Sequence, residues 1–171
     1  MEKKVRIADV ENDDQLMVLE EIAYRIWHEH YEPIIGKSQV DYMLSNFQSA
    51  EAIKKQIAEG YKYFLMRFND EDAGYFAVLP GYDTKEKMFL SKLYVDKKFR
   101  GNGIAKSSIS YVEQMCKQNG QSIIWLTVNK HNSGSIEAYK KMGFVCTESI
   151  VQDIGNGFYM DDYKMEKQIN I

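Results

Sequence analysis

Two prolines, Pro33 and Pro80, and two cysteines, Cys116 and Cys146, are all that 171 residues contain of either type. Two cysteines are too few for a disulfide framework, and their positions lack the spacing of metal ligands. Reduced thiols and a cytoplasmic setting fit that usage. No low-complexity tract or repeat interrupts the chain. The net charge is -3 and the pI about 5.7, so no general basic field would draw the protein onto nucleic acid. No run approaches the ~20 apolar residues of a membrane span. The first fourteen residues, MEKKVRIADVENDD, are charged and lack the apolar centre of a signal peptide. The expectation is one soluble domain over residues 1–171.

What is present is an aromatic-rich core, with twelve Tyr and eight Phe in a chain that is 44% hydrophobic. Residues 4–8 alternate as a first strand. Leu16, Leu19, Ala23 and Ile26 recur at helical spacing, with Asn12 or Asp13 as cap, and this helix ends near His28–Tyr31. A second helical region covers 38–59 and breaks around 47–49. Residues 61–68 and 73–80 form a hairpin across a turn at 69–72, followed by a strand at 88–95. Ala105, Ile109, Val112 and Cys116 mark an amphipathic helix over 103–118. The apolar run 122–128 is a strand buried on both faces. A short helix at 132–142 precedes a final hairpin, 144–152 and 158–167. The order β-αα-β-β-β-α-β-α-β-β mixes meander and crossover connections, so a mixed sheet with helices on both faces follows.

One stretch concentrates chemistry. The strand Leu90–Val95 turns through Arg100-Gly101-Asn102-Gly103 into a helix. Glycines let backbone amides crowd together there. First-turn amides lack internal partners and sit at the positive end of the helix dipole, a place for phosphate. Downstream, Asn132 and Tyr139 stand seven residues apart, two helical turns, and so on one face of the short helix.

Arg100-Gly101-Asn102-Gly103-Ile104-Ala105 matches the Arg/Gln-x-x-Gly-x-Gly/Ala motif with which one family holds acetyl-CoA, and Tyr94-Val95 precedes it as expected. A second motif of that family appears as Asn132, then Ala138-Tyr139-Lys140-Lys141-Met142-Gly143-Phe144. Over residues 70–167 the chain resembles a GNAT-type N-acetyltransferase of the small-molecule branch. The resemblance implies an α+β fold, a mixed and mostly antiparallel sheet of about seven strands flanked by about four helices. It implies acetyl transfer from acetyl-CoA to a primary amine, polyamine-like or an amino sugar, by direct attack and without a metal.

Carried over by position, amides from Arg100 through Gly101, Asn102, Gly103, Ile104 and Ala105 to Lys106 hold the pyrophosphate. The backbone of Leu93, Tyr94 and Val95 pairs with pantetheine as an added strand, and can polarise the thioester carbonyl. Asn132 bonds the pantetheine arm, and Tyr139 protonates the departing thiolate. Direct attack leaves Cys116 without a nucleophilic role. Many members carry a glutamate on the strand before the loop, but here Leu90-Ser91-Lys92 offers no carboxylate. The base stays open among His28, Glu29, His30, Tyr31, Asp161, Asp162 and a water chain. His28, Tyr31, Ser91 and Asp161 are candidates for the acceptor side. The alternative is a coenzyme A-binding module without catalysis. Members of the family are often dimers, and the closing hairpin could serve as an interface.

Overall fold

A computed structural model describes residues 4–170 of the chain. Its strands are β1 (Val5–Asp9), β2 (Lys62–Phe68), β3 (Glu71–Pro80), β4 (Lys87–Val95), β5 (Ile123–Asn129), β6 (Val145–Gly155) and β7 (Phe158–Gln168). Its α-helices are α1 (Asp13–His30), α2 (Glu32–Ile35), α3 (Lys37–Met43), α4 (Ala50–Ala58), α5 (Ile104–Asn119) and α6 (Ser133–Lys141). The seven strands lie in the order β1-β2-β3-β4-β5-β7-β6. The pairings β1–β2, β2–β3, β5–β7 and β6–β7 are antiparallel, and β4–β5 is parallel. The expected mixed, mostly antiparallel sheet is therefore present. No helix among the described residues is long and apolar enough to cross a membrane.

Two compact units share the chain. The first runs through Leu79 and takes up Lys92–Tyr111; the second comprises Pro80–Ser91 and Val112 onward. Strand β4 and helix α5 each contribute residues to both.

In the first unit, α1 starts on a reciprocal cap. Asn12 Oδ1 accepts from Gln15 N at 2.9 Å, while Gln15 Oε1 accepts from Asn12 N at 3.2 Å. Leu16, Leu19, Ile22, Ala23, Ile26 and Trp27 form its buried stripe. The described residues hold six α-helices rather than about four. Gly36, at φ 86, separates α2 from α3. The region expected at 38–59 divides into α3, a π-helical turn (Leu44–Gln48) and α4, which Ser49 caps through Ala52 N. The β2–β3 turn is also tighter than expected. Asn69 and Asp70 both adopt positive φ, so the ladder continues to Phe68↔Glu71 and Glu71 and Asp72 are strand residues. At Gly74 a Cβ would lie 2.2 Å from Tyr94 O, so only glycine lets β3 approach that closely.

Lys92 is buried on this unit's inner side. Its Nζ donates to Phe47 O at 2.6 Å and Gln56 Oε1 at 3.1 Å, and hydrogen-bonds the Tyr63 hydroxyl. The i→i+5 pattern of the π-turn ends beside the Phe47 carbonyl that receives this bond. Three neutral acceptors satisfy the three ammonium donors, yet no carboxylate among the described residues pairs with the charge.

In the second unit, Ile124, Leu126 and Met165 are buried on one face of the β5–β7 pair. Trp125, Thr127 and Asn129 face the other way, in register with Glu166, Lys164 and Asp162. Stacked rings of Phe89 and Trp125, 4.1 Å between centroids, continue that second face onto β4, with Lys164 Nζ 4.7 Å above Trp125.

Burial pushes the Lys92 ammonium down to about 7 from its ordinary 10.5. Between those values the unfolded chain binds a proton that the folded chain has released. Stability should therefore rise with pH across that window and fall as pH drops towards 7. Replacing Lys92 by Met should flatten the slope by up to about 1.4 kcal/mol per pH unit, measured by denaturant titration at a series of pH values. An unchanged slope would place the titration elsewhere.

Candidate active site

The loop between β4 and α5 is held from below. Asp96 is buried, and its Oδ2 receives Arg25 Nε at 2.7 Å with the Nη2 nitrogen of Arg25 also 2.7 Å away. Its Oδ1 accepts from Lys98 N and so caps a 3₁₀ turn, Lys97–Phe99. Asn102 Nδ2 donates to Phe99 O at 2.9 Å, and Arg100 Nε to Val95 O at 3.1 Å. These bonds fix the loop's path, and the Arg100 amide, expected to face the pyrophosphate, itself donates to Lys97 O at 3.3 Å. Gly101 and Gly103 have φ 82 and 74, and a Cβ at either would meet nothing within 4 Å. Ser107 N donates to Gly103 O at 2.9 Å, so the amides of Ile104, Ala105 and Lys106 lie ahead of the helical ladder. A backbone in the left-handed region under open space, leading to a helix start, suits an approaching phosphate.

Upstream, Tyr94 stands among aromatic rings of the same unit. Trp27 and Tyr31 stack at 4.4 Å, and Tyr94 meets Trp27 at 5.4 Å, Tyr31 at 6.0 Å and Tyr75 at 5.3 Å. The buried Tyr75 donates its hydroxyl to Gln48 Oε1 at 2.7 Å. His28 lies between two carboxylates, Nδ1 3.0 Å from Glu32 Oε2 and Nε2 3.2 Å from Asp41 Oδ1.

In the second unit, Asn132 is the cap of α6 rather than a helical residue, and its Oδ1 accepts from Ser135 N at 3.4 Å. The expected shared helix face is thus replaced by a cap and a residue two turns on. Tyr139 packs edge-on against Phe144, 5.5 Å between centroids. Desolvation pushes its phenol above its ordinary 10, which keeps the proton in place.

The sequence profile of the Acetyltransferase (GNAT) family matches residues 21–144. The chain belongs to this family. An uncharacterized N-acetyltransferase of Methanocaldococcus jannaschii is 30% identical over 86 residues, which span 48% of this chain but only 38% of that relative. The PaiA N-acetyltransferase of Thermoplasma acidophilum, solved in complex with coenzyme A, superposes with a TM-score of 0.78 at 20% identity, over 96% of this chain and 99% of that one. The ribosomal-protein-S18-alanine N-acetyltransferase of Escherichia coli gives 0.70 at 17% identity, over 98% and 96%.

Within this GNAT chain, the first unit gathers Leu93, Tyr94, Val95 and the stretch Arg100–Lys106 together with His28 and Tyr31. Ser91, Asn132, Tyr139 and Asp161 belong to the second. Asp161 is engaged by Lys130, with 2.7 Å between Oδ1 and Nζ. Its neighbour Asp162 is the more deeply buried carboxylate. Desolvation, with Asp161 adding to it, pushes Asp162 up to about 6. Lys92 and Asp162 were not singled out for burial by sequence reasoning. The alternation of β7 carried no signal for Asp162, which falls on the opposite face from the buried Met165. Cys116 is buried, as expected, and desolvation pushes its thiol up to about 11. Among the described residues no cluster of three or more His, Cys, Asp or Glu could hold a metal.

A side chain at Gly103 would be strained by the backbone and would project into the open space over the loop. Replacing Gly103 by Ala should weaken coenzyme A binding by about 10-fold or more, at a stability cost of roughly 1–2 kcal/mol. Calorimetric titration and thermal melting together check this; undiminished binding would place the phosphates elsewhere.

Proposed function

We propose that the chain is an N-acetyltransferase that moves the acetyl group of acetyl-CoA to a primary amine of a small molecule, polyamine-like or an amino sugar. The observation that carries the reading is the amide loop of Gly101 and Gly103 at the start of α5, in a chain of this family. Amides from Gly101 to Lys106 take the pyrophosphate, the Arg100 amide being donated to Lys97 O. The backbone of Leu93–Val95 receives the pantetheine arm as a further strand and polarises the thioester carbonyl, a contribution of a few kcal/mol. Asn132 bonds the same arm. A neutral amine attacks the thioester directly, and Tyr139 delivers its phenolic proton to the leaving thiolate. Desolvation holds the proton on the phenol at neutral pH, so Tyr139 enters the step in its protonated form.

Support for a small cationic acceptor comes from the aromatic group Trp27, Tyr31 and Tyr94 and from Glu32 and Asp41 around His28. The resemblance to the PaiA fold carries no substrate with it at 20% identity. Two free thiols, Cys116 and Cys146, fit a reducing cytoplasm.

The second reading is a coenzyme A-binding sensor without catalysis. It is favoured by Leu90-Ser91-Lys92, which holds no carboxylate where many members have one. Thiol release from acetyl-CoA across polyamines, amino sugars, amino acids and peptide N-termini separates the two. The expected outcome is turnover with small amines. In Tyr139→Phe the rate should fall by about 10²-fold or more with coenzyme A affinity unchanged. Tight coenzyme A binding without release from any amine would establish the sensor.

A homodimer through the closing hairpin is part of the same proposal. β6 is an edge strand, and Val145, Val151 and Tyr159 of the hairpin are 61%, 66% and 58% exposed. Light scattering should return twice the chain mass, and Val151→Lys should shift it towards the monomer. A monomeric wild type would end this part of the reading.

A further inference from the structure

We propose that Thr127 and Asp162 form the relay that takes the proton from the attacking amine, standing in for the carboxylate that β4 lacks; this rests on the transferase reading above. Asp162 is only 5% exposed, and its Oδ1 has no hydrogen-bond partner among the described residues. A buried carboxylate oxygen left bare is costly unless something else arrives to use it. Its other interaction is a hydrogen bond from the Thr127 hydroxyl. Asp162 stands opposite Asn129 in the β5–β7 ladder, so Thr127 is its diagonal neighbour on the same sheet face. Thr127 is half-exposed where Asp162 is not. Thr127 is therefore the more accessible residue of the pair, and Asp162 the buried one.

The location fits the chemistry. Asn132 N donates to Asn129 O at 3.0 Å, and Lys130 N to Asp161 O at 3.1 Å. The pair thus sits where β5 hands over to the α6 cap that carries Asn132, with Tyr139 two turns further on. The aromatic face of Phe89 and Trp125 lies along the same side of the sheet. The charged groups around Asp162 are Asp161 and, on the same face opposite Thr127, Lys164 of its own strand, and Lys130 at the end of β5. From β6, Ile150 stands opposite, and Glu148 is turned to Lys164 at 3.6 Å. Desolvation, the first cause of its raised position near 6, leaves Asp162 ionised at neutral pH yet far more basic than an ordinary carboxylate.

The step balances as follows. The amine lone pair forms the C–N bond to the thioester carbonyl carbon, and the C–S bond breaks to leave a thiolate. The N–H proton passes to Thr127 Oγ1 as the hydroxyl proton of Thr127 passes to Asp162. Tyr139 protonates the thiolate, and solvent returns a proton from Asp162 to Tyr139 before the next turnover. Amine and acetyl-CoA become amide and free thiol, and both side chains end as they began.

Two readouts test the relay. Thiol release is followed from about pH 5 to about pH 9 for wild type, Asp162→Asn, Thr127→Val and Thr127→Ser, with an amine that the wild type acetylates. Asp162→Asn and Thr127→Val should lose about 10²-fold in kcat together with the acid limb of the profile, while coenzyme A affinity holds. Thr127→Ser should restore both to within about threefold. A profile and kcat in Asp162→Asn within about threefold of wild type would overturn the proposal. The second readout needs no turnover. Carboxyl-carbon NMR, with the Asp162 signal assigned by its loss in Asp162→Asn, should give a titration near 6 rather than 3.8. That signal should also shift when spermidine is added to coenzyme A-loaded protein. An ordinary titration that ignores spermidine overturns the relay by itself. A responsive signal in a protein that acetylates no amine supports the Asp162 site and refutes the transferase reading.

Discussion

The backbone amides that secondary structure does not consume decide what this chain can hold. A strand or helix interior pairs its own polar groups, so ligand contacts must come from places where a ladder stops. Two such places occur close together in sequence. The β4–β5 ladder pairs Lys87, Met88 and Phe89 with Ile123, Ile124 and Trp125. Fifteen residues after Phe89, α5 begins at Ile104 with first-turn amides ahead of its own ladder. The contacts beneath the loop hold its path. Asp96 ties the turn to Arg25, Asn102 ties it to Phe99, and the two glycines accept a backbone that other residues resist.

Buried polar groups form the second layer of the design, and the three prominent ones are handled differently. Asp96 is matched by a guanidinium and a backbone amide, so its charge is compensated. Lys92 is matched by three neutral acceptors, which satisfies its donors but not its charge, and its proton affinity falls accordingly. Asp162 keeps one oxygen bare, and its proton affinity rises. A group whose protonation is held in an environment that only half suits it is the kind that chemistry can use.

Element types were readable because each rests on a local pattern. The buried stripe of α1, the alternation of the β2–β3 hairpin and the apolar run of β5 all follow from side-chain periodicity. Finer features escaped because they rest on contacts. Nothing local in Leu44–Gln48 announces a π-turn; its Phe47 carbonyl accepts from Lys92, a partner 45 residues away. The two-residue turn at Asn69-Asp70 was blurred by Glu71 and Asp72, polar residues that look like loop but are paired to β2. Tyr31 was legible as an aromatic beside a helix end, yet its stacking on Trp27 and Tyr94 is a tertiary fact.

The sequence by itself determined the family and singled out the glycine loop. Glycines at fixed spacing after an apolar strand leave the backbone few alternatives, and their conformation is set by the absence of a Cβ rather than by neighbours. The tertiary structure alone decided which of two adjacent aspartates is solvated and which is not. Asp161 finds Lys130 and stays at the surface; Asp162, one residue on, turns to the opposite face of the sheet and loses its water. Solvation depends on what covers an atom, and no pattern of residue types along the chain encodes that.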